Sequence, residues 1–394
     1  MKFPYRQFAI PIIVTIIVTI ILFDILSDAN GQQQQQQQLQ QHLQQQRDTW
    51  IEALLSVERE GEGHESAVTA AKHLRLASSD TLLPLLHAMN RANPLAANWI
   101  RGTFAAVADR QLGRGAALPV ADLKRFATDR SHAPQSRELA YEWLMRVDPA
   151  VKDELIGKML DDPATAFRRL AVAELLLTAA NTNDATDQKE IYRRAFAAAR
   201  DPDQLDDAFD KLKELGEEPD LLRQLGLINS WWLLGPFDHR DGIGFDAVYP
   251  PEQGVALDAE YTGKNGKIRW QEQQSVHRHA TLDLNPLFAN EKGAVMYAFC
   301  QFASDEDQQV EIRVGTPNGW KLWVNGELLY AHEEYHMGMR MDQYPIPAQL
   351  KAGMNQILLK ICQNEQTEDW ALRWEFQVRV CDTAGAAVLP AANR

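Results

Sequence analysis

The sequence predicts a multidomain α plus β protein, in which an N-terminal α-helical repeat or solenoid is followed by a C-terminal antiparallel β-sandwich. From Arg47 to about Leu225, apolar residues recur three and four positions apart, the period of helices packed along one face. From about Leu227 the pattern becomes extended, with short apolar runs separated by turn signals. At 394 residues the chain is too long for one typical core, so several domains are expected.

The amino terminus has the pattern of an export segment. Lys2 and Arg6 precede a stretch without charged residues from Phe8 to Phe23, and small residues follow at Ala29 and Gly31. The stretch is shorter than the roughly twenty residues that span a bilayer, which favours a removed signal peptide over a retained anchor in residues 1–31. Both alternatives place the rest of the chain outside the cytoplasm, as a periplasmic or extracellular protein. Contact with a membrane is expected only through an uncleaved N-terminal segment.

Residues 32–46 are a glutamine-rich tract, interrupted by Leu39, His42 and Leu43. Such a tract is typical of a solvated linker or of a frayed helix that leads into the first folded domain. We expect it to act as a spacer.

The domain over residues 47–226 is predicted to consist of short helices. Several begin with a capping residue and a proline, such as Asp148-Pro149 and Asp162-Pro163. The predicted helices are 48–59, 65–77, 80–91, 95–111, 119–129, 134–147, 149–160, 164–179, 187–199, 203–215 and 219–226.

A weak internal repeat runs through these helices. Asn93-Pro94, Ala133-Pro134 and Asp162-Pro163 each lead into a helix at uneven intervals. The third instance, continued by Arg168 to Ala171, resembles the HEAT-repeat pattern. The resemblance implies stacked helix pairs with an extended surface, which suits a scaffold that holds a protein partner.

Strands are predicted in residues 227–385. This domain begins with an extended segment around Trp231 to Leu234, which is followed by a loop at 238–253. The clearest is 370–381, where Trp370 and Trp374 lie on the apolar face of an alternating pattern and are expected in the core. The other predicted strands are 267–274, 280–284, 293–303, 308–315, 320–324, 327–331, 339–344 and 355–362. Residues 386–394 are expected to form a flexible tail.

Two turns organise this domain. Asn325-Gly326 is a strong hairpin signal, and Gly353 with Asn355 makes a second turn. Together with Leu322, Trp323 and Val324 before the first turn and Ile357 to Lys360 after the second, these residues resemble the galactose-binding-like jelly roll, including the sugar-binding domain of family 2 glycoside hydrolases. The resemblance implies the fold and a carbohydrate as ligand class, and not a catalytic activity.

Charge and motifs exclude several functions. A formal net charge of -14 provides no basic field for nucleic acid. No phosphate-binding glycine loop, dinucleotide fingerprint or nucleophile elbow is present, so no cofactor is predicted. The three cysteines, Cys300, Cys362 and Cys381, cannot all pair within one chain. Buried free thiols are expected, although one bridge between two of them is an alternative.

His332-Glu333-Glu334-Tyr335-His336 spells H-E-x-x-H, the zinc-protease signature. That chemistry requires a helix, because only the helical period brings the two histidines to one face. Here the motif follows a predicted hairpin, so we expect an extended chain, no metal site and no catalytic residues. A zinc metallopeptidase is the least favoured alternative.

The same loop is the predicted binding site. Loops at one end of a sandwich present polar side chains on a rigid frame. Trp323 shares a strand face with Lys321 and is expected to be half-exposed, as a platform for a sugar ring. The candidate ligand-binding residues are Trp323, His332, Glu333, Tyr335, His336, Arg340 and Asp342.

The sequence therefore predicts a non-enzymatic, exported binding protein of the cell envelope that recognises a carbohydrate or glycoconjugate. The alternative is a protein-protein adaptor that uses the helical domain as its working surface.

Overall fold

The computed structural model describes residues 10–391, and describes residues 10–32 and Asp153 by their backbone alone. Helices fill the first half of this range, as predicted, and their bounds agree closely with the apolar period. They are α1 Ile10–Leu55, α2 His64–Leu74, α3 Leu82–Met89, α4 Pro94–Gly113, α5 Val120–Thr128, α6 Pro134–Val147, α7 Val151–Ile156, α8 Thr165–Ala180, α9 Ala185–Ala198, α10 Pro202–Glu214 and α11 Leu221–Leu225.

Antiparallel strands fill the second half, so the predicted α plus β, multidomain fold class is confirmed. The strands are β1 Ser230–Asp238, β2 Glu260–Gly263, β3 Gly266–Arg269, β4 Gln271–Gln274, β5 Leu282–Asp283, β6 Ala294–Ser304, β7 Gln308–Gly315, β8 Gly319–Val324, β9 Glu327–His332, β10 Tyr344–Leu350, β11 Gly353–Gln363 and β12 Glu375–Cys381.

The chain divides into two compact units between Leu155 and Ile156. This differs from the expected boundary after residue 226, because α8 to α11 belong to the same unit as the sheets. The physical reason is a pair of backbone hydrogen bonds. The amide of Val380 donates to the carbonyl of Gly226 at 2.9 Å, and the amide of Ile228 donates to the carbonyl of Val378 at 3.0 Å. These bonds join the end of the helical segment directly to β12.

The sandwich consists of a six-stranded sheet, in the order β4-β1-β6-β11-β8-β9, and a four-stranded sheet, in the order β10-β7-β12-β5. Its core lies between them, because alternate residues of each strand face the opposite sheet. The large buried side chains of this core include Trp231, Trp320 and Trp374. A small hairpin, β2 and β3, lies beside β1.

The outer face of the six-stranded sheet is also covered. Trp270 and Phe245, which come from the segment after β1, pack with Phe299, Trp323 and Leu358 of the sheet in a second apolar cluster. Outward residues in the middle of β6 and β11, such as Tyr297, Phe299 and Leu358, are therefore buried as well.

The two predicted turns are confirmed and bonded to each other. Asn325 and Gly326 have positive φ of 53° and 84° between β8 and β9, the backbone of a tight hairpin turn. Asn325 donates to the buried Asn355 side chain at 2.9 Å and accepts from the amide of Gln356 at 2.9 Å. The second turn, at Gly353, connects β10 of one sheet to β11 of the other.

Two predicted strands are wrong in their limits. Residues 339–344 do not form a strand, since Asp342 has a positive φ of 57° that breaks an extended chain, and β10 begins only at Tyr344. The strand predicted over 370–381 begins at Glu375, and Trp370 lies in a single turn of 3-10 helix at Asp369–Ala371. Gln377, on the face of β12 expected in solvent, is buried, and its Nε2 donates to the carbonyl of His279 at 2.7 Å.

The glutamine-rich tract is helical, as a continuous part of α1, and its side chains are exposed from residue 33 onward. Glutamine has a good helix propensity, which explains this result. Among the residues described with side chains, no helix has the length and apolar character needed to cross a membrane. The beginning of the predicted export segment, residues 1–9, and the end of the predicted tail, residues 392–394, lie outside the described residues.

The described part of the predicted tail is attached to the sandwich. The amide of Val388 donates to the carbonyl of Val380 at 3.0 Å, and that of Ala391 donates to the carbonyl of Ala303 at 2.9 Å. The three cysteines are free and buried, which confirms the expectation of unpaired thiols.

Candidate functional site

One end of the six-stranded sheet collects five connecting segments, which we call the loop end: residues 239–246, 291–293, 316–318, 333–338 and 364–373. The pairing register places them together, since Asp238 at the end of β1 faces Ala294 at the start of β6, which in turn faces Gln363 at the end of β11. On the other side of β11, Cys362 faces Gly319 at the start of β8. Loops on a rigid sheet are the usual location of binding residues.

Trp370 is the exposed aromatic of the loop end. Its relative exposure is 61%, in contrast to 0% for Trp374 four residues later. The indole contacts the imidazole of His336 at a centroid distance of 5.2 Å and an interplanar angle of 88°. This edge-to-face contact fixes the ring and leaves most of its surface open to solvent.

The turn that carries Trp370 is held by buried hydrogen bonds. The carbonyl of Ala371 accepts from Lys292 Nζ at 3.0 Å and from Gln363 Nε2 at 3.2 Å. Asn318 Nδ2 donates to Gln363 Oε1 at 3.2 Å, and both side chains are buried. Backbone next to Trp370 is therefore attached to the sheet, which places the exposed ring at the loop end.

His336 connects the segment 333–338 to the segment 364–373. Its Nε2 lies 3.0 Å from Asn364 Oδ1, and its amide donates to the carbonyl of Pro317 at 2.6 Å. Asn364 Nδ2 donates in turn to Gln366 Oε1 at 2.9 Å. Beside the indole the loop end thus presents an imidazole and two amide side chains, which together offer both donors and acceptors.

Tyr335 anchors the segment 333–338 through contacts with His239 and Gly319. Its hydroxyl lies 2.8 Å from Nε2 of the buried His239. The ring lies against Gly319, where an added Cβ would be 2.9 Å from Tyr335 Cζ. A larger residue at 319 would displace the tyrosine. Tyr335 is therefore a positioning residue for the loop.

His239 makes the loop end sensitive to acid. Burial lowers the pKa of His239, the positive charge of Lys360 lowers it further, and Glu365 and Asp238 oppose the shift. Its Nδ1 is buried without a partner among the described residues. The folded protein therefore holds the neutral imidazole, and protonation is unfavourable there.

We expect this histidine to give an acid-dependent loss of stability. Because its folded pKa lies below its unfolded value near 6.5, the contribution is fully present above pH ~6.5 and decreases as the pH falls through the folded pKa. Urea unfolding between pH 7.5 and 5 should show a smaller decrease in His239→Gln than in the wild type. The exposed His277→Gln variant is the matched control and should behave like the wild type. An unchanged slope in His239→Gln would contradict the assignment.

The other predicted binding residues are dispersed. His332, half-buried at the end of β9, lies 3.2 Å from Glu334 and packs near Tyr344, whereas Glu333 is exposed 3.5 Å from the Tyr335 hydroxyl. Arg340 is exposed and lines a separate cleft with His279 and Arg373.

Asp342 is held by a structural ion pair. Its carboxylate accepts from Arg313 Nη1 at 2.8 Å and from Arg379 Nε at 2.6 Å. Burial by itself raises the pKa of Asp342, but the two guanidinium groups lower it below the ordinary value. Both carboxylate oxygens are engaged, so Asp342 ties β7 and β12 together.

The expected exposure of Trp323 is wrong. The side chain is only 7% exposed, because the segment after β1 covers this face of the sheet and places it beside Phe299 and Leu358. A ring without a free face cannot stack on a sugar, and the exposed platform is Trp370.

The prediction that the H-E-x-x-H segment is not helical is confirmed. His332 ends β9, and His336 has a positive φ of 63°. The two imidazoles face different partners, Glu334 and Asn364. The helical zinc-binding turn is not formed, and no group of three or more His, Cys, Asp or Glu residues among those described is placed to hold a metal ion.

A buried charged cluster lies under the loop after β1. Lys360 Nζ donates to the carbonyls of Phe245 at 2.9 Å and Ala247 at 2.7 Å, and it pairs with Glu252 at 2.9 Å. Tyr297 donates to the same carboxylate. All three donors of the ammonium are satisfied, so the cluster fastens the loop to the sheet.

Sequence reasoning did not identify Trp370, Asn364 and His239. The alternation with Trp374 assigned Trp370 to the core, although a cluster of acidic residues directly before it is typical of a loop. The acidic residues are Glu365, Glu368 and Asp369.

Comparison with known proteins gives distant matches only. No family model and no curated protein matches the chain. Among solved structures, the chain matches the PA14 domain of the MpAFP antifreeze protein, with 11% identity and a TM-score of 0.20 over 25% of this chain and 47% of that one. A β-glucosidase from Kluyveromyces marxianus in complex with glucose has 10% identity and a TM-score of 0.25, over 41% of this chain and 17% of that one. The selenomethionine-labelled form of the β-glucosidase from Kluyveromyces marxianus has 10% identity and a TM-score of 0.26, over 78% of this chain and 38% of that one. This chain therefore spans less than half the length of each of these proteins.

Proposed function

We propose that this chain is an exported, non-catalytic binding protein of the cell envelope, and that its loop end binds a carbohydrate or glycoconjugate. The single observation that carries the proposal is Trp370, an indole with 61% exposure at a loop end fixed by buried hydrogen bonds. An indole combines a flat apolar face with an N–H donor, which is why tryptophan is enriched at binding surfaces.

The chemistry around Trp370 suits a sugar. An indole covers the apolar face of a pyranose, and neighbouring amides and carboxylates bond its hydroxyl groups. Asn364 is half-buried next to His336, whereas Gln366 and Glu368 are exposed on the same short loop. These side chains supply donors and acceptors on the segment that carries Trp370.

Rigidity supports the same proposal. A binding residue that is already in position loses little conformational entropy when the ligand arrives. The contact with His336 and the anchoring of Ala371 supply this preorganisation without covering the indole.

The proposed export rests on the sequence of residues 1–31. The basic residues Lys2 and Arg6, the following apolar stretch and the small residues Ala29 and Gly31 have the order of a signal segment. The helical glutamine tract then separates this segment from the folded units.

A glycan array probed with the full chain and with Trp370→Ala tests the function. We expect the wild type to bind a defined subset of glycans and Trp370→Ala to bind them roughly 30-fold more weakly, the effect of removing a central aromatic contact of about 2 kcal/mol. Because the side chain is exposed, the free energy of unfolding should change by less than about 0.5 kcal/mol.

The matched control is Leu328→Ala, which removes another exposed apolar side chain, at 49% exposure, from the same unit on β9. It should leave the glycan profile unchanged. Absence of glycan binding by the wild type, or equal binding by Trp370→Ala, would contradict the proposal.

One observation favours a second function, as an adaptor for a protein partner. Within the first compact unit a cleft of about 490 Å³ has both apolar and charged walls, and Leu95 in it is 42% exposed. The apolar lining residues are Val57, Leu95 and Trp99, and the charged ones are Glu58, Glu60 and Arg75. A cleft of this size and mixed character suits a peptide segment. A partner identified by cross-linking to the full chain should then be lost in Trp99→Ala and retained in Trp370→Ala.

A further inference from the structure

The second compact unit contains a cleft of about 240 Å³ whose walls are rich in arginine. Helices α8 and α10, strand β7 and the chain after β12 form it. Of its lining residues, Arg168, Arg169, Arg200 and Arg313 are cationic, and Asp201 is the one lining carboxylate among the described residues. Four guanidinium groups around so small a space repel one another unless anions are present.

Among the residues described, two of these arginines have carboxylate partners. Arg169 pairs with Asp201 at 3.4 Å and with Asp203. Arg313 Nη2 lies 2.7 Å from Glu311, and its Nη1 lies 2.8 Å from Asp342, an interaction described above.

Arg168 and Arg200 make no ion pair with a carboxylate in the described part of the chain. Arg168 donates its Nε to the carbonyl of Asp162 at 3.1 Å. Asp382, whose charge acts on Arg200, uses its carboxylate to accept the amides of Ala384 and Ala386 at 2.9 and 2.8 Å. Two positive charges of the cleft are therefore left without a direct counterion.

The geometry of Arg200 indicates where an anion would bind. Its Nη1 donates to the carbonyls of Ala197 at 2.8 Å and Ala199 at 2.7 Å, whereas its Nε is buried without a partner. The edge formed by Nε and Nη2 is unused. Through such an edge a guanidinium donates two parallel N–H···O hydrogen bonds to an oxyanion. A buried donor without an acceptor is unfavourable, so a ligand that supplies one is stabilised there.

The electrostatic environment agrees with this geometry. Burial lowers the pKa of Arg200, and the charge of Arg168 lowers it further. Thr165, the first residue of α8, also lines the cleft. The amide of Ala164, just before this helix, donates to the carboxylate of Asp162 at 2.9 Å, so the positive field in the cleft comes from the arginines.

We propose that this cleft is a binding site for a phosphate or sulfate group, either free or carried as a monoester on a small molecule. Its volume is below the roughly 300 Å³ at which sites for larger ligands begin, which suits a compact tetrahedral anion. Such an anion accepts from Arg168 and from the free edge of Arg200 at once. The site lies apart from Trp370 and does not depend on the proposed sugar binding.

Thermal unfolding and titration calorimetry of the full chain test the proposal, with inorganic phosphate, phenyl phosphate and sodium chloride at matched ionic strength. At about ten times the dissociation constant, mass action should raise the melting temperature by roughly 3 to 6 °C. A shift with inorganic phosphate identifies the free anion as a ligand, and a shift with phenyl phosphate alone identifies the monoester. Sodium chloride should give no comparable shift.

Arg168→Gln and Arg200→Gln should each abolish the shift. Arg194→Gln removes the same charge from an exposed position of α9 and should retain it. If Arg200→Gln fails to fold, as judged by circular dichroism, Arg168→Gln decides alone. The proposal is overturned if neither phosphate shifts the wild type, if sodium chloride has the same effect, or if the shift survives in the arginine variants.

Discussion

Replacing Lys360 with methionine should lower the free energy of unfolding by about 3–5 kcal/mol. The side chain is 0% exposed, and the aliphatic stem would still fill its space in the variant. The cost comes from the groups that lose their donor, since Glu252 remains as a nearly buried charge and the carbonyls of Phe245 and Ala247 lose their partner. Urea unfolding monitored by circular dichroism measures the effect.

The double variant Lys360→Met/Glu252→Gln separates this mechanism from loss of packing. Once the carboxylate is neutral, no charge is left unpaired, so the double variant should recover a large part of the stability. The matched control is Lys267→Met, an exposed lysine in the same unit, which should change stability by less than about 0.5 kcal/mol. A Lys360→Met protein as stable as the wild type would show that the loop does not depend on the cluster.

The second large effect is expected for Asp342→Asn, which should cost about 3–5 kcal/mol because it leaves Arg379 buried without its carboxylate partner. The same interaction makes stability depend on pH. Since the folded pKa of Asp342 lies below its ordinary value of 3.8, its contribution is present above pH ~4 and is lost as the pH falls through the folded pKa.

Equilibrium unfolding from pH 7 to pH 2 checks both statements. The stability of Asp342→Asn should depend less on pH in the acidic range than that of the wild type, and the two should converge at low pH. Asp305→Asn, at an exposed carboxylate on a turn of the same unit, is the control and should follow the wild-type curve. Parallel curves for Asp342→Asn and the wild type would contradict the ion-pair role.

Local patterns were sufficient to predict most of the elements. The apolar period located the helices, and Asn325-Gly326 located the hairpin of β8 and β9, because both signals depend only on neighbouring residues. The strand predicted at 339–344 failed because Asp342 adopts a positive φ to reach Arg313 and Arg379. Both of those partners are distant in the sequence, so the local pattern contained no sign of the break.

Burial was harder to predict, because a second layer covers parts of both sheets. The alternation beside Lys321 suggested that Trp323 is half-exposed, but Trp270 and Phe245 return over the sheet and cover it. In the same way the end of α11 lies against the outward face of β12, where Arg379 donates to the carbonyl of Leu225 at 3.3 Å. Helices α8 to α11 belong to the same compact unit as the sheets.

The candidate site was predicted only in part. The loop after β9 was correctly expected not to be helical, although it does not continue as a strand beyond His332, and it supplies His336 and Tyr335 to the loop end. Its main exposed ring, however, comes from the segment after β11, and the buried His239 comes from the segment after β1. Sheet order, which a single sequence does not specify, brings these three segments together.

Fluorine NMR of protein labelled with 5-fluorotryptophan tests the central claim, that Trp370 is the contact surface for a sugar. The resonance of Trp370 is assigned by its absence from the spectrum of Trp370→Phe, and the full chain is then titrated with glycans selected on the array. We predict that this resonance shifts with saturation while those of the buried Trp231, Trp320 and Trp374 remain in place. A bound glycan that leaves the Trp370 resonance unchanged would contradict it.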